Sequence, residues 1–316
     1  MPRRCVAPSA AAAEQGPAPA QAQHLAEEAL LPPVLGLLPS RELLRLAAAC
    51  RPQLAAVLAC GGVWGQRVVD DFGGSLERAR AWARCGSGSA RELHRRLSEL
   101  RRAFRDAVSI VEGDLCTVPR IAPRSVDAII CPAVPSCGPY GPCAVAVHRA
   151  AGPELDEFLQ NTALPVVGGR VPVGQAISTP AFGVEGVSVI VHAVGPTWQF
   201  EEEAQRRLLR QAYDSACREL ASCPSGPVRS VATASISTGG NGMLPEVAAP
   251  IALAVLRDAV CFGGLECVYM VVYERYFMGK FEAVRRAMLA RFNEEPALPD
   301  GGESSDGTSV EEWESE

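Results

Sequence analysis

Six short apolar runs between Ala107 and Tyr273 set the pattern of the chain: AVSIVEGDL, VDAIIC, GQAISTPAFG, VSVIVHAVG, VRSVATASIS and LECVYMVVY. They are rich in valine and isoleucine and too short for helices, which reads as strands. Longer amphipathic stretches at 201–222, 245–262 and 276–292 alternate with them. Such alternation predicts an α/β domain over 106–292, a mixed sheet sandwiched between helices, with ligand loops at the strand ends.

Upstream the period changes. In 25–73 Ser40 stands as an N-cap before Leu43, Leu44 and Leu46, and Gln53 to Cys60 carries a second apolar face ended by Gly61 and Gly62. A small all-α domain follows from that pattern. Residues 77–106 hold nine arginines on helices broken by CGSGS. Interleaved Glu77, Glu92, Glu99 and Asp106 make this a solvated face within an Arg-rich helical linker (74–105) rather than a nucleic-acid stripe.

Composition narrows the classes. With 316 residues, 48% of them hydrophobic, the chain can build a real core. No apolar run reaches the roughly 18 residues of a membrane span, and the Ala/Pro/Gln-rich leader (1–24) lacks a hydrophobic signal segment, so the expectation is a cytoplasmic or nuclear protein. Net charge is -6, yet residues 293–316 alone carry nine acidic side chains and no basic one, leaving 30 basic against 27 acidic elsewhere. That tail has the composition of a disordered segment. The twelve cysteines are scattered without a C-x-x-C, which favours free thiols and no metal. Lys280 is the single lysine.

Two stretches carry chemistry. ISTGGNG, Ile236 to Gly242, lies between a strand and the helix beginning near Pro245. Ser237, Thr238 and three glycines allow a tight backbone whose N–H groups converge on an anion, with the helix N-terminus behind them. A phosphate or diphosphate is the natural ligand. The other stretch, CPAVPSCGPYGPC from Cys131 to Cys143, spaces three cysteines evenly, but zinc sites pair their ligands more closely.

EGDL at 112–115, VDAII at 126–130, HRAAGP at 148–153, HAVGP at 192–196 and SISTGGNG occur in an order that resembles the macrodomain family over about 107–290. The resemblance implies a three-layer α/β/α fold that binds ADP-ribose, and in some members hydrolyses ADP-ribosyl groups. It also implies that Asp114 accepts from the adenine amino group with the Leu115 backbone beside it. Ser237, Thr238, Gly239, Gly240, Asn241 and Gly242 would cradle the diphosphate, and Tyr273 would stack on adenine. Taken by themselves, Asp114 can simply cap its turn and Tyr273 can be core.

Against hydrolytic macrodomains, aligned without gaps from Asp127 to Gly152, Cys131 and Val134 stand where two asparagines are expected and Ala144 where an acid is expected. Pro139, Tyr140, Gly141 and Pro142 replace the glycine run. Val134 and Ala144 cannot orient a ribose or activate water, the prolines lack N–H groups, and Tyr140 adds bulk. Cys131, Cys137 and Cys143 show no paired base. The loop therefore reads as inert, with no catalytic residue, no cofactor and no metal.

Residues 25–73 resemble an F-box, which implies docking through Leu43, Leu46 and Trp64 onto a Skp-type adaptor of a cullin-based ubiquitin ligase. Together the resemblances imply a substrate receptor for ADP-ribose or ADP-ribosylated protein. The alternatives are an ADP-ribosyl hydrolase with a rewired site and a scaffold that binds no nucleotide.

Overall fold

The computed structural model describes residues 61–199, 202–224 and 226–296, which fall into two compact units dividing between Arg96 and Leu97. Leu43 and Leu46, with most of the F-box-like segment, lie outside the described residues, as do the leader and residues 297–316. No described helix is long and apolar enough to cross a membrane.

The described part of the first unit, from residue 61 on, is helical. Helix α1 (Gly61–Phe72) buries Trp64, Val68 and Phe72, one turn apart on one face. Helix α2 (Leu76–Trp82) starts at Ser75, whose hydroxyl accepts from the Arg78 amide at 3.1 Å. Helix α3 (Ala90–Ala107) opens on a capping box: the Ser89 amide donates to Glu92 Oε2 at 2.8 Å, and the Glu92 amide donates back to Ser89 Oγ at 3.3 Å. His94 of α3 meets Trp64 and Phe72 edge-on, each at 5.1 Å, and bonds Asp71 through Nε2 at 2.8 Å. Trp64, expected at an adaptor surface, is thus buried within its own unit, 2% exposed.

The second unit carries the sheet. Its elements are β1 (Val108–Glu112), α4 (Val118–Ile121), β2 (Ala128–Ala133), α5 (Pro142–Ala151), α6 (Pro153–Phe158), a π-helical turn (Leu159–Ala163), α7 (Leu164–Val166), β3 (Ala176–Pro180) and β4 (Val189–Val194). Then follow α8 (Glu202–Ala221), β5 (Ser230–Ala234), α9 (Pro245–Phe262), β6 (Cys267–Val272) and α10 (Arg275–Ala290). Strand order is β1-β6-β5-β2-β4-β3, parallel throughout except for β3, which runs antiparallel to β4. The expected mixed sheet with flanking helices is present. Every residue of β4 and β6 is buried, as helices on both faces require.

Three strands are registered by one residue. The Asp127 carboxylate Oδ2 accepts from the amides of Arg229 and Ser230, both at 2.9 Å, at the start of β5. Its own amide donates to the Ser230 carbonyl at 3.0 Å, and its carbonyl accepts from the Ser188 amide at 2.9 Å, just before β4. The segment from Pro153 to Val166, left without an element by the apolar pattern, forms α6, the π turn and α7. It is tied back by His148 Nδ1, which donates to Asp156 Oδ1 at 2.7 Å.

The acidic tail was expected to begin at residue 293, but the folded body extends past it. Asn293 is 3% exposed. Buried Arg257 of α9 donates through Nη1 to the carbonyls of Phe292 at 3.4 Å and Glu294 at 3.3 Å, and Glu295 pairs with Arg210 at 3.3 Å. A cation gathering carbonyls beyond the end of α10 satisfies groups that the helix leaves unpaired.

Two outcomes follow for stability. Asp127→Ala removes two charge-assisted bonds to main-chain amides and should lower unfolding free energy by roughly 2 to 3 kcal/mol in urea titration, with Asp127→Asn costing less. His192 on β4 is buried, hydrogen-bonded to Thr179 Oγ1 at 3.1 Å and 6.3 Å ring to ring from His148. Burial, and secondarily His148, lowers its pKa from 6.5 to about 3. Between those values the unfolded chain binds a proton that the folded one refuses, so stability should fall as pH drops from 6.5 toward 3. In His192→Gln that component of the acid dependence should vanish from melting curves taken across the range.

Candidate functional site

Because β1, β6, β5, β2 and β4 all point the same way, the loops leaving their C-terminal ends gather on one edge of the sheet. The sequence-predicted residues of the second unit lie on those loops, in the order that the strands dictate.

After β1, half-buried Asp114 caps its own turn: Oδ1 accepts from the Cys116 amide at 2.7 Å, and its carbonyl accepts from the amides of Thr117 and Val118, both at 3.0 Å. Leu115 turns inward, 4% exposed, so only its backbone is available to a ligand. The Gly113 amide donates to the Val272 carbonyl at 3.1 Å, which brings the following residue of the neighbouring strand end, Tyr273, alongside. Tyr273 is 83% exposed and is not a core side chain.

The loop after β5 is built around a left-handed Ser237 (φ 68°) whose hydroxyl is buried without a hydrogen-bond partner among the described residues. It lies under Gly195, where a Cβ would come within 2.3 Å of both Ile236 Cγ2 and Ser237 Oγ, so only glycine permits the approach. The Thr238 hydroxyl donates to the Ser235 carbonyl at 3.3 Å. Gly239 and Gly240 are exposed with open space where a side chain would stand, and Gly242 (φ 72°) takes the conformation that favours glycine. Asn241 serves as a clamp: Nδ2 donates to the Gly195 carbonyl at 3.3 Å, and its own carbonyl accepts from the Trp198 amide at 2.7 Å. The loop therefore offers glycine backbone to a ligand, and its one amide side chain is turned to holding the turn after β4, two strands away.

The loop after β2 differs from its expected shape in two respects. Tyr140 is 74% exposed, so its bulk is at the surface, and Pro142 occupies the first position of α5, where a missing N–H costs the helix nothing. The apolar character of the loop holds: Val134 is half-buried and Ala144 is 2% exposed.

Cys131 and Cys143 are in thiol-to-thiol contact, and Cys116, arriving from the loop after β1, contacts Asp114 and lies near enough to Cys143 to feel its charge. The Cys143 contact, followed by burial, holds the Cys131 thiol well above the usual range. Burial pushes Cys116 and Cys137 up to about 12, with Asp114 adding to the shift at Cys116. Thiols held up in this way, Cys116, Cys131 and Cys137, are poor nucleophiles at neutral pH. Among the described residues no group of three or more His, Cys, Asp or Glu side chains could hold a metal ion.

Beyond the glycine loop, Glu246 in the first turn of α9 accepts from Tyr276 Oη at 3.1 Å and pairs with Lys280 at 2.7 Å, tying the start of α9 to α10. Sequence reasoning singled out HAVGP and STGGNG but not their mutual clamp; the signal was Gly195, a glycine placed directly after a valine-rich strand. Cys116 was also missed, since nothing in its spacing points to Cys143. A separate cavity of about 610 Å³ opens on the opposite edge of the sheet, lined in part by Asp106, Arg124, Arg229 and Glu266, and none of the predicted site residues contributes to it.

Known proteins share this arrangement. The macro domain family pattern matches residues 136–252. O-acetyl-ADP-ribose deacetylase of Salmonella gallinarum is 34% identical over 168 residues, 53% of this chain and 87% of that protein. The protein of the same name from Citrobacter rodentium is 33% identical over 168 residues, 53% of this chain and 88% of its own. Among solved structures, a mutant Oceanobacillus iheyensis macrodomain with ADPR is 26% identical with a TM-score of 0.51, covering 59% of this chain and 96% of that one. The Oceanobacillus iheyensis macrodomain with ADP is 27% identical with a TM-score of 0.51, covering 59% and 94%. With the strand order, the loop after β5 and these relatives in agreement, the chain belongs to the macro domain family.

Proposed function

We propose that this chain is a receptor for ADP-ribose, or for protein carrying it, that does not hydrolyse what it binds. One observation carries the reading: Asp114, exposed Tyr273 and the open glycine backbone of 239–242 share the edge of the sheet where adenosine and diphosphate would lie, while the loop after β2 and the start of α5 hold Val134 and Ala144 where a hydrolase needs polar groups. Binding needs the first of these. Hydrolysis needs a group that positions or deprotonates water, and alkyl side chains supply neither.

Related structures solved with ADPR and with ADP support the binding part. The deacetylase name of relatives 33–34% identical supports a second reading, an enzyme with a rewired site. Turnover decides between them. O-acetyl-ADP-ribose incubated with the chain should release acetate no faster than in buffer, and release above that rate would establish the enzyme. Calorimetry should show ADP-ribose binding that Asp114→Ala weakens by about 1 to 3 kcal/mol, the usual cost of leaving a buried polar partner unpaired.

A ligase role would come from residues 25–73, with Leu43 and Leu46 as the adaptor contacts and Trp64 holding the helical unit together. The carrying observation is the apolar pattern of the sequence, and the proposed location is the cytoplasm or nucleus. Co-purification with a Skp-type adaptor should be seen for the wild type and lost when Leu43 and Leu46 are both changed to Ala. Absence of adaptor from the wild-type sample, under conditions that capture a known F-box protein, removes this part and leaves the binding reading intact.

A further inference from the structure

The strand order spaces the recognition chemistry along the edge. Asp114 and Tyr273 follow the neighbouring strands β1 and β6, the glycine loop follows β5, and the 134–142 loop follows β2. With neighbouring strands about 4.8 Å apart, β1 and β2 are separated by three spacings, roughly 14 Å. An extended nucleoside diphosphate runs along such an edge from the Asp114 end, and whatever is joined to its terminal phosphate arrives at the loop after β2.

The side chains at the base of that far end are apolar, while Ser136 and Tyr140 of the same loop stand out at the surface. Ala133 and Val134 are half-buried at the end of β2, Ala144 is buried in the first turn of α5, and the adjoining sulfurs of Cys131 and Cys143 belong to or pack against the apolar core. Polar side chains close by are engaged with one another. Asn241 donates to the Gly195 carbonyl at 3.3 Å, and Thr197 Oγ1 donates to Asn241 Oδ1 at 3.5 Å. A sugar set against the half-buried Ala133, Val134 and Cys143 gives up hydrogen bonds to water for each hydroxyl it buries there and finds no strong hydrogen-bonding side chain among them, whereas an alkyl group gains by leaving water.

Resting on the binding reading above, we infer that the site recognises the adenosine diphosphate part of its ligand and that its far subsite takes an uncharged, apolar terminal group. The ligand class is therefore ADP and ADP conjugates with alkyl or acyl ends, rather than conjugates selected through a terminal sugar.

The experiment compares two probes of equal charge on the full chain, ADP-ribose and the β-propyl ester of ADP, with ADP itself as a third titrant in calorimetry. The propyl ester should bind about tenfold more tightly than ADP-ribose, the scale set by partial burial of two or three methylene groups. ADP-ribose binding as tightly as the ester, or more tightly, would overturn the inference and leave the receptor reading standing. Binding by none of the three would overturn the receptor reading and this inference with it. The ligand series separates the two failures without any substitution that could disturb folding.

Discussion

Asp127 holds the geometry on which the rest of the second unit depends. Through one carboxylate oxygen, one amide and one carbonyl it joins the starts of β5 and β4 to the start of β2. A parallel sheet has no tight turns to set its register, because each strand reaches its neighbour through a helix. A fixed point at the entry of three central strands does that work instead. A one-residue slip there would turn the residues of β4 that pack on one helical layer toward the other and displace Gly195 from Ser237. The ligand edge is thus set from the opposite end of the strands.

The helices follow the same logic at their ends. Buried Arg257 would be costly if unpaired, and the carbonyls of Phe292 and Glu294 would be left unsatisfied past the end of α10; each resolves the other. His148 and Asp156 do likewise between α5 and α6. These polar contacts join elements that apolar packing alone would leave free to slide, which is why the fold can hold several loops on one edge at a defined spacing.

Most of the sheet could be read from the apolar runs, because strands covered on both faces have continuous Val/Ile composition; five strands lie within the predicted runs, and β2 continues two residues past its run to Ala133. What escaped has physical reasons. The Pro153–Val166 segment mixes two prolines with a π turn and so lacks a clean 3.6-residue period. The tail boundary was missed because Asn293 and Glu294 look like the start of an acidic segment, and a contact such as that from Arg257 to the Glu294 carbonyl, 37 residues apart, leaves no mark in local composition. Site residues on backbone-driven loops were legible, since Ser237 and the glycines announce their conformation. Residues that act through contact, Asn241 with Gly195 and Cys116 with Cys143, were not, because a distant partner leaves no trace in local spacing.

Lys280 gives the molecule an unusual chemical simplicity. It is the single lysine of the sequence, and its ammonium group is engaged with Glu246 at the junction of α9 and α10. Any lysine-directed acylation, whether by a reagent or by an enzyme, has one address on this chain and must first pull that ammonium away from its carboxylate. The extent of such labelling thus becomes a readout of how often that junction opens. Since α9 follows the glycine loop and α10 follows Tyr273 directly in the chain, the same amine can report on the ends of both loops.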